Sequence, residues 1–165
     1  MIDQTSLAIL ENLQSDARIS NAEIGRRVGL APSAVFERIR KLEERGAVRG
    51  YNANIDPAAV DLGLLAFVFV RSDERRGAPL TEAALVAMPE VQEVHHIAGE
   101  DCFMLKVRVR DTTALNELLA DRISALESVS STKTTIVLRT AKETSTIPIA
   151  GADVARSREV GDEDR

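Results

Sequence analysis

The sequence predicts an α+β protein: a helical N-terminal unit followed by a four-stranded sheet that carries two helices. Three observations predict it. Apolar residues recur at helical spacing as far as Gly46, as in Val35, Ile39 and Leu42. From Leu64 onward the pattern changes to strand, helix, strand, strand, helix, strand. Between these regimes stands Asp56-Pro57, where the residue before proline leaves the helical region. The expected division is 1–60, 61–150 and a charged tail over 151–165, GADVARSREVGDEDR, too polar to order itself.

The first helix is expected from Asp3, a capping residue, to Leu13, with Leu7, Leu10 and Leu13 as its stripe. Ser20 and Glu23 stand at capping-box spacing and start a second helix, along which Ile24 and Val28 repeat at i, i+4. Gly29 ends it, because glycine enters the left-handed region at little cost. Pro32 opens a third helix at its first position, where a missing N–H costs nothing. Ala31 precedes it where Ser or Asp would cap better, forgoing about 1 kcal/mol. Val35, Ile39 and Leu42 bury one face, leaving Ser33, Ala34, Glu37, Arg40 and Lys41 outward and Arg38 at the edge of the buried stripe.

Two short helices, a tight turn and an outward basic helix form a helix–turn–helix, the geometry that enters a DNA major groove. The competing reading is an αα-hairpin whose charges only face water. The combination of cap, glycine turn, proline start and basic face favours double-stranded DNA as partner, with Ser33, Ala34, Glu37, Arg40 and Lys41 at the groove and Arg38 supporting from the edge. After Gly46, AVRGYNANIDP reads either as a short β wing or as a simple linker strand.

In the second unit Leu64 to Arg71 is nearly all apolar, which implies burial on both faces. Pro79 to Met88 is a short helix stopped by Pro89, and Val91 to Ala98 a second strand. Cys102 to Arg110 follows as a third strand, with Phe103, Leu105, Val107 and Val109 on one face and Lys106, Arg108 and Arg110 on the other. Thr112 to Leu126 is a helix and Val129 to Arg139 the last strand; Ile147-Pro148-Ile149 is free to dock. This order is the split βαβ of the ferredoxin-like α/β sandwich. Two helices cover one face of such a sheet, so the apolar residues on the other predict a second copy of the chain against it.

Composition narrows the function. No run reaches the roughly 18 apolar residues of a membrane span. MIDQTSLAIL lacks the charged-then-apolar pattern of an export signal, and the single Cys102 fits a reducing compartment, so the expected location is cytoplasmic. The net charge is −5, but residues 17 to 50 carry eight Lys/Arg against four Asp/Glu, a local +4, while residues 61 to 165 carry thirteen against eighteen, a local −5. Basic charge is thus concentrated where phosphate contacts would use it.

There is no nucleophile elbow, phosphate loop or dinucleotide fingerprint, so no enzyme, cofactor or catalytic residue is predicted. His95 and His96 are strand neighbours and point to opposite faces, which argues against a shared metal. Cys102 lacks zinc-ligand companions and reads as a small buried side chain. The turn Gly99-Glu100-Asp101 offers amides and carboxylates to a small zwitterion; as a hairpin turn with solvated acids it reads equally well.

On the segments ARISNAEIGRRVGLAPSAVFERIRKLEERGAVRGYNANID and VQEVHHIAGEDCFMLKVRV, the chain resembles the Lrp/AsnC (feast/famine) family of bacterial and archaeal transcriptional regulators, from about Asp3 to Ile149. The resemblance implies a DNA-binding domain, a linker strand and a ferredoxin-like domain that dimerises through its sheet. It also implies dimers assembling to tetramers or octamers, and an amino-acid effector near Gly99 to Phe103. Thr132 and Thr134 match last-strand positions that line the family's pocket. The effector set it implies is Gly99, Glu100, Asp101, Cys102, Phe103, Thr132 and Thr134. The family often has Ser in place of Ala31, and many members carry Asp in place of Cys102. Two alternatives stand beside it: a siroheme-decarboxylase-like enzyme on the same fold, using His95 or His96 as acid or base, and an oligomer whose helix–turn–helix no longer binds DNA.

Overall fold

Asp3 accepts the Ser6 amide proton at 2.8 Å and caps α1 (Gln4–Ser15), in a computed structural model that describes residues 2–73 and 79–149. Ser20 caps α2 (Asn21–Val28) by accepting from the Glu23 amide, and Gly29 ends it at φ 71°. Pro32 opens α3 (Pro32–Glu44), and Ala31 before it makes no side-chain cap bond, as its methyl group dictates. The three apolar stripes meet in one core of Ile9, Ile24, Val35, Ile39 and Leu42, which are all buried.

The chain divides into two compact units, residues 2–54 with 144–149, and Ile55–Glu143. The segment 144–149, expected to continue the second domain, lies with the helical unit. Gln14 holds it there: its Oε1 accepts the Ile147 amide proton at 2.7 Å and its Nε2 donates to the Ile147 carbonyl at 3.1 Å. Residues 49–56 belong to no helix or strand, so the wing strand does not form. A single 3-10 turn, Pro57–Val60, follows, capped by Asp56. The tail 151–165 lies outside the described residues.

The second unit runs β1 (Leu64–Ser72), α4 (Pro79–Val86), β2 (Val91–His96), β3 (Phe103–Val109), α5 (Thr112–Glu117) and β4 (Val129–Ile136). Its sheet has the order β2-β3-β1-β4, every neighbour antiparallel, which is the ferredoxin-like arrangement. The helix expected over 112–126 is shorter, passing into a π-helical stretch at Leu118–Ile123 that still buries Leu118 and Ile123.

Register assigns the faces, since residues directly opposite across a ladder share one. Val68 stands opposite Leu105 and Thr134; Val70 stands opposite Phe103 and Thr132. These face the helices, in a core of Ala66, Val68, Val70, Phe103, Leu105 and Val107 joined by Leu85, Leu115 and Ile123. Phe67 opposite Lys106 and Thr135, and Phe69 opposite Met104 and Lys133, belong to the open face. Phe67, Phe69 and Met104 are only half-buried there.

Candidate functional site

The helix–turn–helix is fixed by local chemistry. Glu23 does not reach back to complete a reciprocal capping box; its carboxylate pairs with Arg26 and, at 2.8 Å, with Arg27. Those two guanidinium groups draw it along the helix and hold its carboxyl below the usual range, the Arg27 hydrogen bond acting most. Gly25 lies where α2 meets the start of α3. A Cβ there would stand 2.4 Å from the Leu30 carbonyl oxygen, and the Leu30 amide donates to the Gly25 carbonyl at 2.9 Å. Only glycine allows this approach.

On α3, Ser33, Glu37, Arg40 and Lys41 are exposed and share the side opposite Val35, Ile39 and Leu42, while Ala34 is half-buried on the flank. Arg40 is held along its own helix, at 2.9 Å from Glu37 and 3.4 Å from Glu44, and the Glu37 hydrogen bond raises its pKa. Among the described residues Lys41 makes no ion pair. Arg38 turns the other way: its Nη1 donates to both oxygens of Asp3 and to Ser6 Oγ. It braces α3 against α1 and stands apart from the outward set.

At the sheet, the turn before β3 brings together four charges. Gly99 has φ 139°, a value side-chain-bearing residues rarely adopt. Glu100 lies 3.0 Å from Arg71, and Asp101 lies 3.9 Å from Arg71 and 3.8 Å from Lys133. Lys133 also sits 4.8 Å above the ring of Phe69, a cation–π contact. Asp101 is the sheltered member of the group, its side chain 22% exposed against 91% for Glu100. Among the described residues Arg71 Nε is buried without a hydrogen-bond partner.

The other residues of the expected effector set fall elsewhere. The Cys102 thiol contacts the Ser72 backbone, at 3.5 Å from the amide and 3.4 Å from the carbonyl, and its own amide donates to Val70. Phe103 is fully buried and stacks on His96, ring centroids 5.0 Å apart. Thr132 and Thr134 share the helix-covered face with Val70 and Val68, opposite to Lys133. The structure therefore gathers Glu100 and Asp101 with Arg71 and Lys133, two residues the sequence reading passed over. Arg71 ends an apolar run and Lys133 lies among threonines; only the register and the turn bring them together.

Beside Phe67 and Met104 the open face also carries an ionic network. Lys106 pairs with Glu143 and, at 3.1 Å, with Glu93; Arg108 lies 2.7 Å from Glu143. The Lys106 hydrogen bond holds the Glu143 carboxyl below its ordinary range, and Glu143 in return raises Lys106. His95 bonds Glu93 at 3.0 Å on this face, while His96 is on the other, as alternation requires. Among the described residues no cluster of three or more His, Cys, Asp or Glu could hold a metal, and no helix is long and apolar enough to cross a membrane.

A helix–turn–helix joined to a small-molecule-sensing sheet domain defines the class: a ligand-modulated regulator of transcription. Residues 2–49 match the winged helix-turn-helix DNA-binding family, and residues 65–147 match the Lrp/AsnC ligand binding domain. The chain belongs to the Lrp/AsnC family. It is 38% identical over 152 residues to the leucine-responsive regulatory protein of Salmonella typhimurium, covering 90% of this chain and 92% of that one. A transcriptional regulator from Neisseria meningitidis, solved with L-Met, superposes with a TM-score of 0.82 at 31% identity, covering 91% of this chain and 98% of its own. A feast or famine regulatory protein from M. tuberculosis, complexed with L-methionine, superposes with a TM-score of 0.82 at 35% identity over 89% of this chain and 99% of its own. These relatives are regulators rather than enzymes, which sets aside the siroheme-decarboxylase-like alternative.

Proposed function

We propose that this regulator binds double-stranded DNA with α3 in the major groove and answers to a free amino acid held at the Gly99–Asp101 turn. Ser33, Glu37, Arg40 and Lys41 face the bases and phosphates, Ala34 lies at the flank, and Arg38 sets the angle of α3 through Asp3. The first 60 residues, completed by 144–149, serve DNA binding, and the remainder of 61–150 serves sensing and assembly. The open sheet face pairs with a second copy, burying Phe67, Phe69 and Met104, and dimers assemble further to tetramers or octamers. The protein acts in the cytoplasm, where its DNA is.

One observation carries the effector reading: Asp101 is sheltered and flanked by Arg71 and Lys133. An amino acid brings an ammonium and a carboxylate a few ångströms apart. Asp101 accepts from the ammonium, while Arg71 and Lys133, with amides at Gly99, receive the carboxylate. The L-methionine complexes of the relatives support an amino acid as the class. Cys102 does not replace the carboxylate that the family resemblance implies at its position; Asp101, one position earlier, serves in its stead. Thr132, Thr134 and Phe103, on the helix-covered face, take no direct part. Calorimetry with the twenty amino acids tests this. The expected result is heat with one or a few of them, lost in Asp101→Ala and Arg71→Ala; no heat with any leaves a DNA binder without this effector class.

A further inference from the structure

The chain has four phenylalanines, one tyrosine and no tryptophan, so an aromatic side chain spent on water is conspicuous. Phe103 is fully buried, and Phe67 and Phe69 are half-buried on the sheet. Phe36, on α3, is 54% exposed and takes no part in the core of its own unit. It lies one helical turn from both Ser33 and Arg40, at i+3 and i−4, and so borders the outward face. Charged neighbours do not explain it. Arg40 is already held by Glu37 and Glu44, which leaves Phe36 as the large apolar surface beside the groove-facing residues.

In the major groove the apolar group available to such a side chain is the 5-methyl of thymine; every other base edge there presents hydrogen-bond donors and acceptors. We infer that Phe36 is a specificity-determining residue that packs on a thymine methyl in each half-site. This rests on α3 entering the major groove. Part of the sequence preference is then apolar. It persists at salt concentrations that weaken the phosphate contacts of Lys41, because burial of a methyl group releases no counterions.

The test uses duplexes selected from random DNA by the full-length protein, in which each thymine is replaced singly by deoxyuridine. The replacement removes one methyl and leaves pairing and hydrogen-bond pattern unchanged. At one thymine per half-site the wild type should lose about fourfold in affinity, the factor that follows from roughly 0.8 kcal/mol per buried methyl-sized group. Phe36→Ala should bind the thymine duplex more weakly and be indifferent to the replacement, and Phe36→Leu should keep part of the sensitivity. Thermal unfolding of both variants should match the wild type, as the half-exposed position implies. A wild type indifferent to deoxyuridine at every position overturns the inference, as does a sensitivity that Phe36→Ala leaves unchanged. Failure to select any duplex overturns the groove reading and this inference with it.

Discussion

Nη1 of Arg38 lies 2.7 Å from Oδ2 and 3.1 Å from Oδ1 of Asp3, so the cap of the first helix is also the anchor of the third. Asp3 thereby serves two helices at once. Its carboxylate accepts from the Ser6 amide while neutralising the one arginine of α3 that turns inward.

That arrangement makes a pH prediction. The Arg38 hydrogen bond, helped by the Ser6 amide, lowers the Asp3 pKa from 3.8 to about 2. A depressed carboxyl contributes stability that is complete above its ordinary pKa and is lost as pH falls toward the lowered one. Asp3→Asn keeps a capping oxygen and discards the charge. Between those two pH values the thermal midpoint of the wild type should fall more steeply than that of Asp3→Asn. Parallel curves in calorimetry would mean the ion pair adds nothing, as is common for exposed pairs.

Lys41 and Arg40 should differ on DNA although both are basic and exposed. Lys41 is unpaired among the described residues, whereas Arg40 must leave Glu37 and Glu44 before meeting a phosphate. Lys41→Ala should lower the slope of log affinity against log salt by about one. Arg40→Ala should lower it by less. Fluorescence anisotropy across a salt series measures both, and equal slopes would show that the helix ion pairs do not withhold Arg40.

Gly25→Ala should destabilise the helical unit by about 1–3 kcal/mol, the range for a forced contact in a packed site. Alanine's better helix propensity returns at most about 1 kcal/mol. The clash wins because Leu30 O is backbone, pinned by the turn between the helices. Denaturant unfolding gives the difference directly; a neutral or stabilised variant would mean the turn relaxes freely.

Phe67→Glu should convert the assembled protein into monomers. Phe67 is half-buried on the open face opposite Lys106 and Thr135, and its replacement puts a carboxylate at the centre of the proposed contact. Light scattering at micromolar concentration should give at least a dimer for the wild type and a single chain for the variant, both with native circular dichroism. A monomeric wild type would remove the open face as an interface.

Much of this was legible because burial follows local periods. Val35, Ile39 and Leu42 repeat as a helix must, and Phe103, Leu105, Val107 and Val109 alternate as a half-covered strand must; all seven are buried. The caps at Asp3 and Ser20 were legible for the same reason, since donor and acceptor are three residues apart. Contacts between distant residues were not. Arg38 stood at the edge of its stripe with nothing nearby to say that Asp3, 35 residues earlier, would claim it. Thr132 and Lys133 are neighbours in sequence, and only the pairing of β4 with β1 decides that lysine joins the Asp101 turn and threonine does not. Neither the wing nor the linker strand, the two readings left open for the segment after Gly46, forms, because extended-looking residues need a ladder partner, which 49–56 lack among the described residues.

The pairing of Gln14 with both backbone groups of Ile147 has a consequence for modularity. Ser145, Thr146, Ile147 and Ile149 border the same cleft as Leu7, Leu10 and Leu13, so the DNA-binding unit is assembled from two separate stretches of sequence. It cannot be excised by a single cut. A fragment ending at residue 60 would carry every groove-facing residue and yet expose the leucines of α1. Exchange of the reading head between relatives, by engineering or by recombination, must therefore carry residues 144–149 along with the helices.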